Sequence, residues 1–116
     1  MTEPAVAKRF FLSVDLTGKT PVVHCRGRLV AGDTERFYND LKELMSMYKE
    51  IVVDFQEVPH LDSSGLGTLA RLYVHAKSVG SVIEIVNIGK SVRSLLGITH
   101  MLAVFQRVGE NGIRMG

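Results

Sequence analysis

The sequence has little of several features on which other classes of protein depend. A single cysteine, Cys25, in 116 residues excludes an internal disulfide and a cysteine-rich metal site. The 14 basic and 12 acidic side chains nearly cancel and form no basic run, which argues against a nucleic-acid partner. No apolar run approaches the roughly 18 residues of a membrane span, and the first seven residues lack the apolar segment of a secretory signal. We therefore expect a cytoplasmic protein without membrane insertion or a cofactor.

What the sequence does contain is enough apolar material for one core. Hydrophobic residues make up 46% of the chain and charged residues 22%, a balance that is typical of a folded domain and not of disorder. A chain of 12.8 kDa leaves no room for a second core. We expect one domain over residues 8–108, with flexible tails at 1–7 and 109–116.

The hydrophobic pattern predicts an α/β fold. Alternating apolar residues over 10–16 and 23–29, with a turn between them, predict an antiparallel hairpin. Asp33 is placed to cap a helix whose apolar face runs from Phe37 to Tyr48. Strands and helices then alternate: a strand at 51–55, a helix ending near 79, a strand at 82–86, a helix at 91–96 and a last strand at 103–105. The prediction is a mixed sheet of four to five strands, with helices packed mainly on one face.

The segment that follows the strand at 51–55 carries the most information. It reads Leu61-Asp62-Ser63-Ser64-Gly65-Leu66-Gly67 and opens the second helix. Three consecutive residues can cap a helix where one is enough, and each glycine costs a helix about 1 kcal/mol relative to alanine. Two glycines in a first turn indicate close approach of another backbone or of a bulky group. A tight turn with a redundant cap explains the spacing equally well.

The periodicity of this helix predicts which side faces the core. The inward arc consists of Leu66, Leu69, Ala70, Tyr73 and Ala76. The outward arc consists of Thr68, Arg71, His75 and Ser78, with Leu72 on a half-exposed flank.

The run Asp62-Ser63-Ser64-Gly65-Leu66-Gly67 behind a buried strand resembles the signature of the STAS domain. Residues 82–88, followed by Ser91-Val92-Arg93-Ser94-Leu95-Leu96, resemble the fourth strand and third helix of that family. The resemblance covers residues 10–108, and among STAS domains the chain is similar to the bacterial anti-sigma factor antagonists.

This resemblance implies partner switching. An antagonist of this kind binds an anti-sigma factor that is also a serine kinase, and thereby releases the sigma factor. The kinase phosphorylates the serine after the motif's aspartate, here Ser63, which breaks the complex, and a PP2C-type phosphatase resets it. The residues expected to bind the partner are Asp62, Ser63, Ser64, Gly65, Leu66, Thr68, Arg71, Leu72 and His75.

One position departs from the family pattern. Family members often carry an aspartate directly after the Gly-x-Leu that ends the second strand, whereas Gly27-Arg28-Leu29 is followed here by Val30. The alternative is therefore a STAS interaction or scaffold module that is never phosphorylated and belongs to a signalling or transport complex. A homodimer through an exposed edge of the first strand is also left open.

Other functions have less support in the sequence. His60, Asp62 and Ser63 lie too close in sequence to orient one another as a hydrolase triad, and no G-x-S-x-G elbow is present. The glycines at 65 and 67 match neither phosphate-binding pattern, which disfavours nucleotide binding without excluding it. The four histidines have no metal-binding spacing.

Overall fold

The protein folds as strands and helices in the predicted alternation. In this computed structural model residues 10–98, 106–108 and 112–115 are described. The strands are β1 (Phe11–Asp15), β2 (Val22–Arg26), β3 (Glu50–Glu57), β4 (Val82–Val86), β5 (Gln106–Val108) and β6 (Gly112–Met115). The helices are α1 (Thr34–Met45), α2 (Ser63–Val79) and α3 (Lys90–Ile98). No helix among these residues is both long and apolar enough to span a membrane.

The strands form one mixed sheet in the order β1-β2-β3-β4-β6-β5. The β1–β2 pair is antiparallel, as predicted, and β2, β3 and β4 are parallel to one another. Strand β6 runs antiparallel to both β4 and β5. The predicted class, a single α/β domain with an opening hairpin, is confirmed. Within the described residues the sheet has six strands, however, where the sequence predicts four to five.

The additional strand corrects the C-terminal boundary. Residues 109–116 are predicted as a flexible tail, but β6 (Gly112–Met115) occupies half of that stretch. Ile113 of β6 pairs with Ile85 of β4 and is 2% exposed. A strand with so short an apolar pattern is specified by the neighbouring edge of the sheet, so its sequence alone gave no signal. The predicted strand at 103–105 and the predicted tail at 1–7 lie outside the described residues.

The core lies between one face of the sheet and the helices. Alternate residues of β2, β3 and β4 are buried on that face and join the inner sides of α1, α2 and α3 in one cluster. In α1, Phe37, Leu41 and Leu44 are buried as the periodicity predicts. Asp33 precedes α1, but its side chain makes no capping hydrogen bond, and its Oδ1 lies 3.7 Å from Nη2 of Arg36 instead.

Two loops meet where β2 and β3 end. Leu29 and Leu61 form an isolated parallel bridge beyond the strands. The N–H of Leu29 donates to the carbonyl of His60 (3.2 Å), and the N–H of Asp62 donates to the carbonyl of Leu29 (3.3 Å). These bonds hold the start of α2 against the loop after β2, at the sheet end where open α/β folds place functional loops.

Candidate functional site

Asp62 connects the two loops through its side chain. It is the N-cap of α2, and its Oδ1 accepts a hydrogen bond from the N–H of Gly65 (3.0 Å). Its Oδ2 accepts a second one from the N–H of Ala31 (3.1 Å), in the loop after β2. The Gly65 N–H is the main reason that the pKa of the Asp62 carboxyl lies below its usual value, since hydrogen bonds to the carboxylate favour the charged form. One ionised carboxylate therefore fixes both loops.

The two glycines of the motif have different surroundings. A Cβ on Gly65 would lie 2.5 Å from the carbonyl oxygen of Leu29 and 2.9 Å from Cβ of Leu61. A Cβ on Gly67 would meet nothing within 4 Å. The predicted close approach of another backbone is confirmed for Gly65 and wrong for Gly67. Gly65 is predicted to bind a partner, but this contact buries it, so it is not exposed to one.

Ser63 is the first residue of α2 and is exposed. Ser64, the neighbouring serine, is half-buried, and its carbonyl accepts a hydrogen bond from Oγ1 of Thr68 (2.8 Å). Ser63 faces a groove of about 480 Å³ between the start of α2 and α3. The residues that line this groove are His60, Leu61, Asp62, Ser63, Leu66, Ser91, Ser94 and Leu95. Chemically, the site offers an accessible hydroxyl beside a groove, and none of the described residues that line this groove is a lysine or arginine.

The structure rotates α2 relative to the prediction. Thr68, expected on the outward arc, is 3% exposed, and Leu72, expected on a half-exposed flank, is 0% exposed. Both therefore belong to the core and are not partner-binding residues. The physical reason is the contact at Gly65, which brings that side of the first turn against Leu29 and sets the phase of the helix. The buried positions of α2 are Gly65, Thr68, Leu69, Leu72 and Ala76.

The fold and this motif agree with the comparisons to known proteins. A family model described as "Mlab, STAS domain" matches residues 12–113. The chain belongs to the STAS domain family. A STAS-domain containing protein of Pseudomonas aeruginosa (strain UCBPP-PA14) is 28% identical over 89 residues, which are 77% of this chain and 88% of that protein.

Solved structures show the same fold at lower identity. A crystal structure of an anti-sigma factor antagonist from Mycobacterium paratuberculosis is similar with a TM-score of 0.75, at 18% identity, over 95% of this chain and 92% of that one. The Bacillus cell fate determinant SpoIIAA in its phosphorylated form has a TM-score of 0.59, at 16% identity, over 77% of this chain and 83% of that one.

In this STAS domain, three of the predicted outward residues of α2 (Arg71, His75 and Ser78) line a second groove of about 400 Å³, between α1 and α2. The guanidinium of Arg71 lies 4.0 Å from the ring centroid of Tyr38 on α1, and its Nη1 donates to Oε2 of Glu35 (2.6 Å). The ring of His75 meets that of Tyr38 edge to face, with 6.4 Å between centroids. No pattern in the sequence predicts the roles of Tyr38 and Glu35, because their contacts with Arg71 and His75 depend on how two helices pack.

The sequence pattern also did not indicate a polar cluster around Asp54 of β3. Oδ1 of Asp54 accepts hydrogen bonds from Nδ2 of Asn87 (3.0 Å) and the N–H of Gln56 (2.8 Å), and its Oδ2 lies 3.3 Å from Nδ1 of His24. Partial burial raises the pKa of the Asp54 carboxyl, but the hydrogen bonds and His24 outweigh it, so the pKa is lowered. Asn87 has a left-handed φ of 58°. Nowhere in the described residues do three or more His, Cys, Asp or Glu side chains form a group suited to a metal ion.

Val30, which stands where family members often carry an aspartate, lies in the loop that Asp62 binds. Val30 is half-buried, and its carbonyl accepts from the N–H of Asp33 (3.1 Å). The adjacent N–H, that of Ala31, is the one that donates to Asp62. This loop therefore contacts the Ser63 site through a backbone N–H. The Asp33 carboxylate of the same loop faces Arg36.

Proposed function

We propose that this STAS domain is an anti-sigma factor antagonist that acts by partner switching. It binds an anti-sigma factor with serine kinase activity, and phosphorylation of Ser63 releases that partner. The observation that carries the proposal is the placement of Ser63. Its hydroxyl is exposed on the first residue of α2, beside a groove, while the capping task belongs to Asp62.

The electrostatics of the site favour a phosphate that remains exposed. A phosphoserine adds about −1.5 to −2 charges at neutral pH. The helix N-terminus tolerates an anion, which is worth about 0.3–1 kcal/mol at a surface, so the domain should stay folded. The Gly65 N–H is already bound by Asp62, and none of the described residues that line the groove is a lysine or arginine, so no cation of this lining neutralises the phosphate.

An exposed dianion is sufficient to break a complex seated on this loop. If the phosphate costs the interface about 2–4 kcal/mol through desolvation and repulsion, the affinity falls roughly 30- to 1,000-fold. Such a switch requires no change of fold. The structural neighbour SpoIIAA has been solved in a phosphorylated form, which supports the compatibility of this fold with the modification.

The remaining parts of the proposal follow from partner switching. A PP2C-type phosphatase would remove the phosphate and restore binding, and both reactions would take place in the cytoplasm. The contact surface consists of the accessible residues of the motif together with the outer side of α2. These residues are Asp62, Ser63, Ser64, Leu66, Arg71 and His75.

The test begins with the protein purified from its own cells during growth, starvation and stress. Intact mass and peptide mapping of residues 60–71 would locate any phosphate. Ser63→Ala and Ser63→Asp proteins would then be used as baits, with Ser64→Ala as the matched control. We expect a phosphate on Ser63, and an anti-sigma factor that copurifies with Ser63→Ala and Ser64→Ala but not with Ser63→Asp.

Other outcomes would contradict specific parts of the proposal. A phosphate on Ser64 would keep the switch and move its site. No phosphate under any condition, together with equal capture by all baits, would overturn the switch in favour of a scaffold module. Capture of a kinase that is no anti-sigma factor would overturn the identity of the partner.

A further inference from the structure

A second surface of the domain lies away from the Ser63 groove, between α1 and α2. It is the groove lined by Tyr38, Ala70, Arg71, Val74, His75 and Ser78. We name this the Arg71 groove. None of the described residues that line it carries a carboxylate, although Glu35 of α1 reaches Arg71 from outside the lining, and Val74, on its rim, is 65% exposed.

On the side of α2, the charged side chains are all basic. The sequence of α2 contains Arg71 and Lys77 but no aspartate or glutamate over its 17 residues. From α1, Nζ of Lys42 lies 5.7 Å from the centroid of the Tyr38 ring, which also carries Arg71. Two cations therefore lie near one aromatic ring. Since Lys42 lies beside Asp40 and Glu43, Arg71 is the cation that the groove itself presents to an anion.

A carboxylate already occupies this position in the free domain. Oε2 of Glu35 lies 2.6 Å from Nη1 of Arg71, but both side chains are open to water, with 69% and 48% of their surfaces exposed. A pair this exposed contributes little to stability, so another carboxylate can exchange with Glu35 at small cost. The stacking on Tyr38 holds the guanidinium in place, which reduces the entropy lost when a new partner binds.

We propose that the Arg71 groove binds an acidic amphipathic segment of a protein partner. One carboxylate of that segment takes the place of Glu35 on Arg71, and a neighbouring apolar side chain packs on Val74. The complementary charge and the exposed apolar rim together favour a peptide with both features. The assignment of this segment to the anti-sigma factor rests on the function proposed above. The binding of an acidic, partly apolar segment rests on the chemistry of the groove alone.

The experiment uses the purified domain and a displayed library of random short peptides. Peptides selected on the wild-type domain are then measured on Arg71→Glu and on Lys77→Glu. Lys77→Glu is the matched control, since it reverses the same charge on the same helix while its Nζ contacts the Tyr73 ring (5.5 Å) outside the groove. Arg71→Gln and Val74→Asp provide further variants if Arg71→Glu does not fold.

We expect the selected peptides to combine acidic with apolar residues. Arg71→Glu should weaken them about tenfold or more, because it replaces a charge-assisted hydrogen bond with repulsion. Lys77→Glu should change their affinity by less than about twofold. In NMR titrations the amide signals of Tyr38, Val74 and His75 should shift.

Several results would overturn the inference. These are selected peptides without acidic residues, equal losses in Arg71→Glu and Lys77→Glu, or a single-stranded oligonucleotide that binds as well as the peptides with the same Arg71 dependence. The outcome is separable from that of the proposed function, because peptide binding is measured on the unphosphorylated domain and does not involve a modified Ser63. Acidic peptides that need Arg71 would support the groove even if Ser63 is never phosphorylated.

Discussion

The carboxylate of Asp62 accepts a hydrogen bond from the backbone N–H of Ala31, 31 positions earlier in the chain. With its other oxygen it caps α2 at Gly65. The residue next to the proposed phosphosite thus connects the loop after β2 to the start of α2. Since the loop bond is made by backbone N–H, its formation does not depend on which side chain stands at position 30.

This relationship predicts different effects for two substitutions of Asp62. Asp62→Ala removes both bonds and should lower the free energy of unfolding by about 1–2 kcal/mol, the upper part of the range for a lost N-cap. Asp62→Asn keeps one oxygen for Gly65 but has no second acceptor for Ala31, so it should cost less. Urea unfolding gives the stabilities. Hydrogen exchange should become faster at Ala31 in both variants and at Gly65 in Asp62→Ala alone; unchanged exchange at Ala31 would contradict the tether.

Gly65 and Gly67 form a matched pair for a second prediction. Gly65→Ala places a Cβ against the backbone carbonyl of Leu29, which cannot move aside like a flexible side chain, and should cost about 1–3 kcal/mol. Gly67→Ala meets open space within a helix and should stabilise the domain by up to about 1 kcal/mol. Thermal or urea unfolding of the two variants decides this. Equal effects would mean that the contact at Leu29 does not set the position of α2.

These two glycines show how far the sequence predicts the site. The motif, the cap and the presence of a close backbone contact follow from local composition, because caps and glycines act within one turn. Which glycine makes the contact depends on the approach of Leu29 from the loop after β2, and no local pattern encodes it. The buried face of α2 was predicted wrongly because Thr68 is polar and was therefore expected to be exposed. Its hydroxyl instead donates a hydrogen bond to the Ser64 carbonyl within the helix, which allows Thr68 to be buried.

The fold follows the same division. Helix α1 is predicted well, because its apolar periodicity reports directly on burial, and the central part of β3 is predicted from its short β-branched run. In strand β6, Ile113 is buried against the core, and the strand depends on pairing with β4. The cluster of Tyr38, Arg71 and Glu35 joins side chains from two helices, so it becomes visible only once the helices are packed.

The corrected phase of α2 predicts that Leu72 contributes to stability and not to binding. Leu72→Ala should lower the free energy of unfolding by about 2–5 kcal/mol, because it leaves a cavity in the core. Val74→Ala, an exposed change on the same helix, should alter it by less than about 0.5 kcal/mol. Urea unfolding curves compare the two. A loss below 1 kcal/mol for Leu72→Ala would contradict the helix phase described here.

Cys25 should be unreactive in the folded domain. Burial, with a smaller effect of the Asp54 charge, raises the pKa of its thiol to about 12, and 3% of the residue is exposed. At pH 8 the thiol is therefore protonated and inaccessible, so a thiol reagent should react only through opening of the fold. The labelling rate in native buffer should be far below the rate in denaturant. Rapid native labelling would contradict the placement of Cys25 on the inner face of β2.

Acid should destabilise the domain partly through Asp54 and Asp62. The folded-state pKa of each carboxyl is lowered, so each contributes stability above its unfolded pKa near 3.9, which is lost as the pH falls through the lower folded value. Removing the charge with Asp54→Asn or Asp62→Asn should therefore lower stability near pH 7, and the difference from the wild-type domain should shrink below about pH 4. Urea unfolding midpoints measured between neutral and acid pH test this, with Glu43→Gln, an exposed carboxylate on α1, as the control for lost negative charge. A difference that stays constant with pH would mean that the variants act through shape and not through the charge, and that the hydrogen bonds from Asn87 and Gly65 do not depend on ionisation.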